Sequence, residues 1–232
     1  MTHKQKTMNL WSAVAMGVGS MVGAGIFALL GEAAAIAGTA TYLSFAVGGL
    51  VALLAGYSYA KLGVRYPSSG GVVEYLVQGF GPGLFSGGLA LLFYFASVIG
   101  MAMVAKAFGS YATGLFVGEG APYFWVNLFS SGLVILLTQI KFIGADAVGK
   151  SEKLIVFLKL AVLVSFVFLG LFSFDPGFLS PASYPPTGAL LVSISLTFFA
   201  FTGFGVIANT VEEMPDPART LPRAIYLAIV LV

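Results

Sequence analysis

The chain has 232 residues, of which 59% are hydrophobic and 9% charged, and its mean hydropathy is +0.99. Soluble domains carry about 25% charged residues, so this composition excludes an ordinary water-soluble globule and points to lipid as the solvent. A net charge of +2 gives no basis for a nucleic-acid partner, and the absence of cysteine excludes disulfides, thiolate metal sites and cysteine nucleophiles.

A membrane-spanning helix needs roughly 20 mostly apolar residues. Six segments meet that requirement, at about 10–37, 41–62, 83–116, 121–140, 154–174 and 188–211, and residues 225–232 read as the start of a seventh. The first is too long and too rich in glycine for a signal peptide, although Ala33–Ala35 resembles a cleavage site. The single histidine, His3, belongs to the polar N-terminal tail. The stretch Lys61–Pro82 is a glycine-rich, semi-polar connection, and Asp175–Pro186 is a loop with four prolines and no basic residue. The whole is predicted to be one all-α integral membrane domain.

Charge placement sets the expected orientation. With the N-terminus in the cytoplasm, Lys4, Lys6, Lys61, Arg65, Lys141, Lys150, Lys153, Arg219 and Arg223 all fall on the cytoplasmic side. The other two of the eleven basic residues, Lys106 and Lys159, lie within helices, and none falls in an external loop. That is the positive-inside pattern.

Segments one and six carry an echoed interruption. Gly23-Ala24-Gly25-Ile26-Phe27-Ala28 recurs as Gly203-Phe204-Gly205-Val206-Ile207-Ala208, 180 residues on. Glycine weakens a helix interior by about 1 kcal/mol relative to alanine. For one helix, close packing through Gly19 and Gly23 is explanation enough. Two matching interruptions suggest a transporter of inverted-repeat design, with its substrate between them. Irregular backbone at membrane depth is tolerated where it lines a cavity. A half-helix N-terminus attracts a carboxylate, and free carbonyls accept from an ammonium, so a zwitterionic amino acid is the expected guest.

At these residues the chain resembles the amino acid–polyamine–organocation transporter superfamily. The likeness lies in Ala13–Gly31 around Gly-Ala-Gly-Ile-Phe, in Tyr57–Gly81, and in Phe198–Ile225 with its Glu-Glu…Pro…Arg…Pro-Arg-Ala-Ile tail, and it runs over the whole chain. The resemblance implies a five-plus-five inverted-repeat fold, of which this chain would supply the first repeat, helix six and the start of helix seven; a piece of a longer protein is the expectation. It implies that the main-chain N–H groups at Gly23, Ala24 and Gly25, beside Val22, hold the substrate carboxylate. The carbonyls of Met21, Phe199, Ala200 and Thr202 would take the ammonium, with Gly203 in the break. Phe204, just past the break, is expected from its position alone to act as a lid.

Lys159 stands six residues inside Lys153, about 9 Å along a helix. An ionisable group there is either functional or a lysine reaching back to the headgroups. Proton-coupled members of the superfamily carry a lysine at the matching place, so the resemblance implies a proton-responsive link from Lys159 to the carbonyl near Gly19. The proton is then the coupling ion, ahead of sodium, with no other cofactor and no metal. Neither break carries an acid, which favours small neutral amino acids. The expected activity is proton symport by alternating access in the cell membrane, with an amino acid exchanger as the alternative. A channel would need a continuous polar path or rings of charge. An enzyme would need a nucleophile–base pair or a metal cluster. The sequence offers neither.

Overall fold

The computed structural model describes residues 8–118, 120–143, 145–172, 176–180 and 184–232. His3, Lys4, Lys6, Asp175 and Pro181 lie outside the described residues, as do the side chains of Ala24, Lys141, Lys150 and Lys153. Every regular element among the described residues is helical.

The chain divides into two compact units, residues 1–94 with 177–232, and residues 95–176. The first unit opens with α1 (Leu10–Ala24), capped by the Asn9 side chain, which accepts from the Ser12 N–H at 2.8 Å. A π-helical turn, Gly25–Leu29, joins it to α2 (Leu30–Ala37). Gly38 then takes φ +53°, a left-handed conformation that ends α2 without the strain a side chain would bring. After a 3-10 turn come α3 (Thr41–Arg65) and the short α4 (Val72–Phe80), which lies in the segment read as a connection. α5 (Leu84–Phe116) begins in the first unit and continues into the second.

The first unit resumes with α8 (Thr187–Phe201), a 3-10 turn at Thr202–Phe204, the single turn α9 (Gly205–Ala208), and α10 (Pro217–Leu231). α10 starts upstream of the expected 225. Asp216 caps it by accepting from the Arg219 N–H, and Pro217 occupies the first turn, where no N–H is needed.

A ladder of small residues on α3 organises this unit. Ser44, Gly48, Ala52, Gly56 and Ala60 recur every four residues, followed by Gly63, and all are buried. The upper rungs meet α8. Thr197 Oγ1 donates to the Ser44 carbonyl at 2.8 Å, and a Cβ on Gly48 would stand 2.7 Å from that hydroxyl oxygen. The lower rungs meet α10: a Cβ on Gly56 would lie 2.9 Å from Ile225 Cγ2, and one on Gly63 2.6 Å from Leu221 Cδ2. With no hydrophobic drive between helices in lipid, such close approach supplies the attraction. Ser193 Oγ also donates to the Ala33 carbonyl, at 3.3 Å, tying α8 to α2.

The second unit holds the remainder of α5, then α6 (Tyr123–Ile143) and α7 (Ala145–Leu171). Gly109 on α5 approaches the Val126 carbonyl and Ser130 on α6. Lys106 is held between helices: its ammonium donates to the Asn127 side chain and lies 5.0 Å from the centre of the Tyr123 ring. Leu136, Phe166, Val167 and Phe168 are exposed, as suits a helix bathed in lipid. Helices long and apolar enough to cross a membrane lie within 10–65, 84–116, 123–140 and 187–208, and the apolar helix 155–171 is shorter.

Candidate functional site

The first interruption is a change of helical pitch. α1 gives way at Ala24 to the π turn Gly25–Leu29, a wider winding that recurs at functional sites. The Gly25 N–H is directed to the carbonyls of Met21 and Val22. The amide expected to be free for a carboxylate is therefore engaged in this conformation, because the wider turn keeps its hydrogen bonds where an unwound segment would release them. Met21 and Val22 are buried, and Gly23 is half-buried.

The second interruption is tighter. α8 stops at Phe201 and the 3-10 turn Thr202–Phe204 follows. The Phe199 carbonyl accepts both from the Thr202 N–H and, at 2.7 Å, from the Thr202 hydroxyl. Here too a carbonyl expected to meet an ammonium already has local partners, and the two donors match its two lone pairs. Ala200 and Phe204 are buried, while Phe199 and Thr202 are exposed.

The two interruptions lie against each other. A Cβ on Gly25 would stand 2.7 Å from Ala200 Cβ, and one on Gly203 would stand 2.7 Å from the Met21 amide nitrogen and 2.8 Å from Ser20 Oγ. Glycine at 25 and at 203 is what lets the backbones come this close. Met21, Gly25, Ala200 and Gly203 are thus brought to one place.

Phe204, expected as a lid, has its ring buried edge-on against Tyr59 of α3, with centroids 5.2 Å apart and planes at 87°. Gly19 lies on α1 in the first unit and Lys159, half-buried, on α7 in the second. Two open grooves in the first unit lie elsewhere. One of about 380 Å³ runs along Phe45, Gly49, Leu53, Phe201 and Ile229, and the other along Leu84–Leu92; both linings are apolar and offer no grip for a zwitterion. No group of three or more metal-ligating side chains occurs among the described residues.

Residues 8–232 match the family model described as amino acid permease. The chain belongs to the amino acid permease family. Its sequence is 40% identical over 225 residues to the inner membrane transport protein YbaT of Escherichia coli, a match covering 97% of this chain and 52% of that protein. It is 30% identical over 241 residues to the methylthioribose transporter of Bacillus subtilis, covering 97% and 51% of the two chains. To the branched-chain amino acid permease BcaP of the same organism it is 26% identical over 241 residues, covering 98% and 52%. The chain therefore spans about half the length of the relatives it matches. Family and helices together make it part of a multi-pass membrane protein of the all-α permease class.

Around the interruptions of this permease chain the structure adds residues the sequence reading passed over. Thr197 and Ser193 supply the polar ties of α8, and Tyr59 receives Phe204. The four-residue spacing from Ser44 to Ala60 is the signal that would have marked the Thr197 partner face on α3. Tyr59 carries no comparable signal, being one of 10 tyrosines.

Proposed function

We propose that the full-length protein is a secondary active transporter of small neutral amino acids, working by alternating access in the cell membrane with the N-terminus cytoplasmic. The close apposition of the two interruptions, Gly25 on Ala200 and Gly203 on Met21, is the observation that supports this most directly. In the arrangement described, the Gly25 N–H and the Phe199 carbonyl serve local partners. Substrate binding then requires the π turn to release the Gly25 N–H to the carboxylate and the 3-10 turn to release the Phe199 carbonyl to the ammonium. A π turn suits that exchange, because it already trades ideal hydrogen-bond geometry for width. Thr202, the exposed first residue of the second turn, offers a hydroxyl oxygen that can accept from an ammonium.

The names of relatives span branched-chain amino acids, methylthioribose and, for a protein of Arabidopsis thaliana 32% identical over 94% of this chain, cationic amino acids, so they leave the charge of the guest open. The neutral guest proposed here rests on the lack of an acidic side chain in either interruption. Lys159 is the proposed proton-responsive group, coupling its own protonation to the α1 carbonyl near Gly19.

The test is uptake of labelled alanine, serine and leucine by the full-length protein in proteoliposomes, with and without an inward proton gradient. Gradient-driven accumulation that loses its pH dependence in Lys159→Ala supports the proposal. Counterflow that needs internal substrate and ignores the gradient makes the protein an exchanger. No movement of any amino acid overturns the reading.

A further inference from the structure

Tyr75 is buried, and its hydroxyl has no hydrogen-bond partner among the described residues. It stands on α4, and Gly63 of α3 makes room for it: a Cβ there would lie 2.8 Å from the phenol oxygen. The Tyr75 ring meets Tyr59 edge-on, with centroids 6.0 Å apart and planes at 86°. Tyr59 in turn meets Phe204 of the second interruption at 5.2 Å. Three rings thus run from the second interruption to α4. The start of α4 is fixed to the same stretch, because Gly71, at φ +54°, leaves the space that the Asn209 side-chain carbonyl occupies just beyond α9.

Such edge-on pairs are attractive beyond the area they bury. An unpaired buried hydroxyl works in the opposite direction, since water would supply the partner the protein does not. Burial, and to a smaller extent the neighbouring Tyr59, hold the Tyr75 phenol above its ordinary pKa, so it stays a donor without an acceptor.

We propose that Tyr75, Tyr59 and Phe204 form a gate on the side of the interruption where α4 lies, cytoplasmic in the orientation above, and that the Tyr75 hydroxyl biases this gate toward opening. The rings hold the gate shut; the hydroxyl gains hydrogen bonds only when the gate parts and water enters. This rests on the transport reading, and it assigns Tyr75 a positioning role that needs no contact with substrate.

The experiment uses the full-length protein in sealed vesicles of both orientations, with a reporter thiol introduced by Gly205→Cys. A Cβ at 205 has the Tyr59 ring as its near neighbour, at 3.6 Å, so the thiol fits and sits against the stack. The rate of modification by a membrane-impermeant maleimide is compared for Tyr75, Tyr75→Phe and Tyr75→Ala. Loss of the ring should raise the rate from the α4 side at least about tenfold, a small part of the cost of truncating a large buried side chain. Loss of the hydroxyl alone should lower it about fivefold, the low end of the cost of an unpaired buried hydroxyl. Equal rates in all three, acceleration by Tyr75→Phe, or labelling only from the opposite side would overturn the gate. Amino acid uptake measured on the same vesicles separates the two readings. Labelling that changes as expected without any uptake leaves the gate and removes the transport reading; normal uptake with unchanged labelling does the reverse. Tyr75→Phe keeps the ring and so tests the hydroxyl even where Tyr75→Ala fails to fold.

Discussion

Replacing Gly203 and Gly205 separately by alanine should give effects of opposite sign, although the two stand two residues apart in one motif. At 203 the new methyl would lie 2.7 Å from the Met21 amide nitrogen, 2.8 Å from Ser20 Oγ and 2.9 Å from the Ser20 carbonyl carbon. Comfortable contact between non-bonded heavy atoms is about 3.5–4.0 Å, so α1 and the 3-10 turn must separate by about 1 Å. Two of the three obstructing atoms are backbone and cannot rotate away. Overpacking of this kind costs about 1–3 kcal/mol. At 205 the methyl would meet only the Tyr59 ring, at 3.6 Å, an ordinary contact. Gly205 begins α9 with helical dihedrals, φ −58° and ψ −27°, so alanine there recovers up to about 1 kcal/mol of helix propensity. Thermal unfolding of the detergent-solubilised full-length protein is the assay, with amino acid uptake beside it. Gly203→Ala should unfold several degrees lower and lose most transport, and Gly205→Ala should unfold at the same temperature or higher. Equal unfolding temperatures for both variants, or a stable and active Gly203→Ala, would refute the claim that the two interruptions meet through Gly203.

Thr197→Val keeps the shape of the side chain and removes the hydroxyl that donates to the Ser44 carbonyl; the loss should be about 0.6–1.7 kcal/mol, the range for interhelical hydrogen bonds in membranes, read by the same unfolding assay. On the loop before α8, the Tyr184 hydroxyl shares a hydrogen bond with that of Tyr42, and its single proton has the Leu179 carbonyl, 3.2 Å away, as an alternative acceptor. The hydrogen bond with Tyr42 holds the Tyr184 phenol above the usual tyrosine range. The tie is therefore complete below the ordinary value of about 10 and is lost as pH rises through the raised one. Tyr42→Phe should return Tyr184 to an ordinary titration, seen in the spectrophotometric curve; a Tyr184 titration left unchanged by Tyr42→Phe would count against the tie.

Much of the architecture is legible in the sequence because membrane helices write themselves as long apolar runs. The expected segments at 10–37 and 83–116 carry α1 with α2, and α5. The echo of Gly23–Ala28 in Gly203–Ala208 points to the place where Gly25 meets Ala200 and Gly203 meets Met21. What the echo does not convey is the local winding. Glycine lowers the cost of leaving an α-helix but does not choose between uncoiling, widening to a π turn at Gly25–Leu29 or tightening to a 3-10 turn at Thr202–Phe204. That choice depends on which hydrogen bonds survive when the two chains are in contact. α4 was hidden for a different reason: nine residues between Gly71 and Gly81 are too few to register as a span, and their apolar side finds its purpose only against Gly63 and Tyr59. Phe204 illustrates the limit for aromatic residues. With 21 phenylalanines in the chain, position at a break suggests importance, but the partner ring lies 145 residues away at Tyr59 and leaves no trace in local pattern.

The small-residue edge of α3 has a mechanical consequence. Side chains that interlock must disengage before two helices can shift lengthwise, whereas an edge built of Gly48, Ala52, Gly56 and Ala60 presents little for a neighbour to catch on. α8 and α10 share that smooth rail, one on its upper stretch and the other on its lower. What holds each in register is a few local fixings, the Thr197–Ser44 hydrogen bond for α8 and the fit of Ile225 against Gly56 for α10, and these lie on separate stretches of the rail.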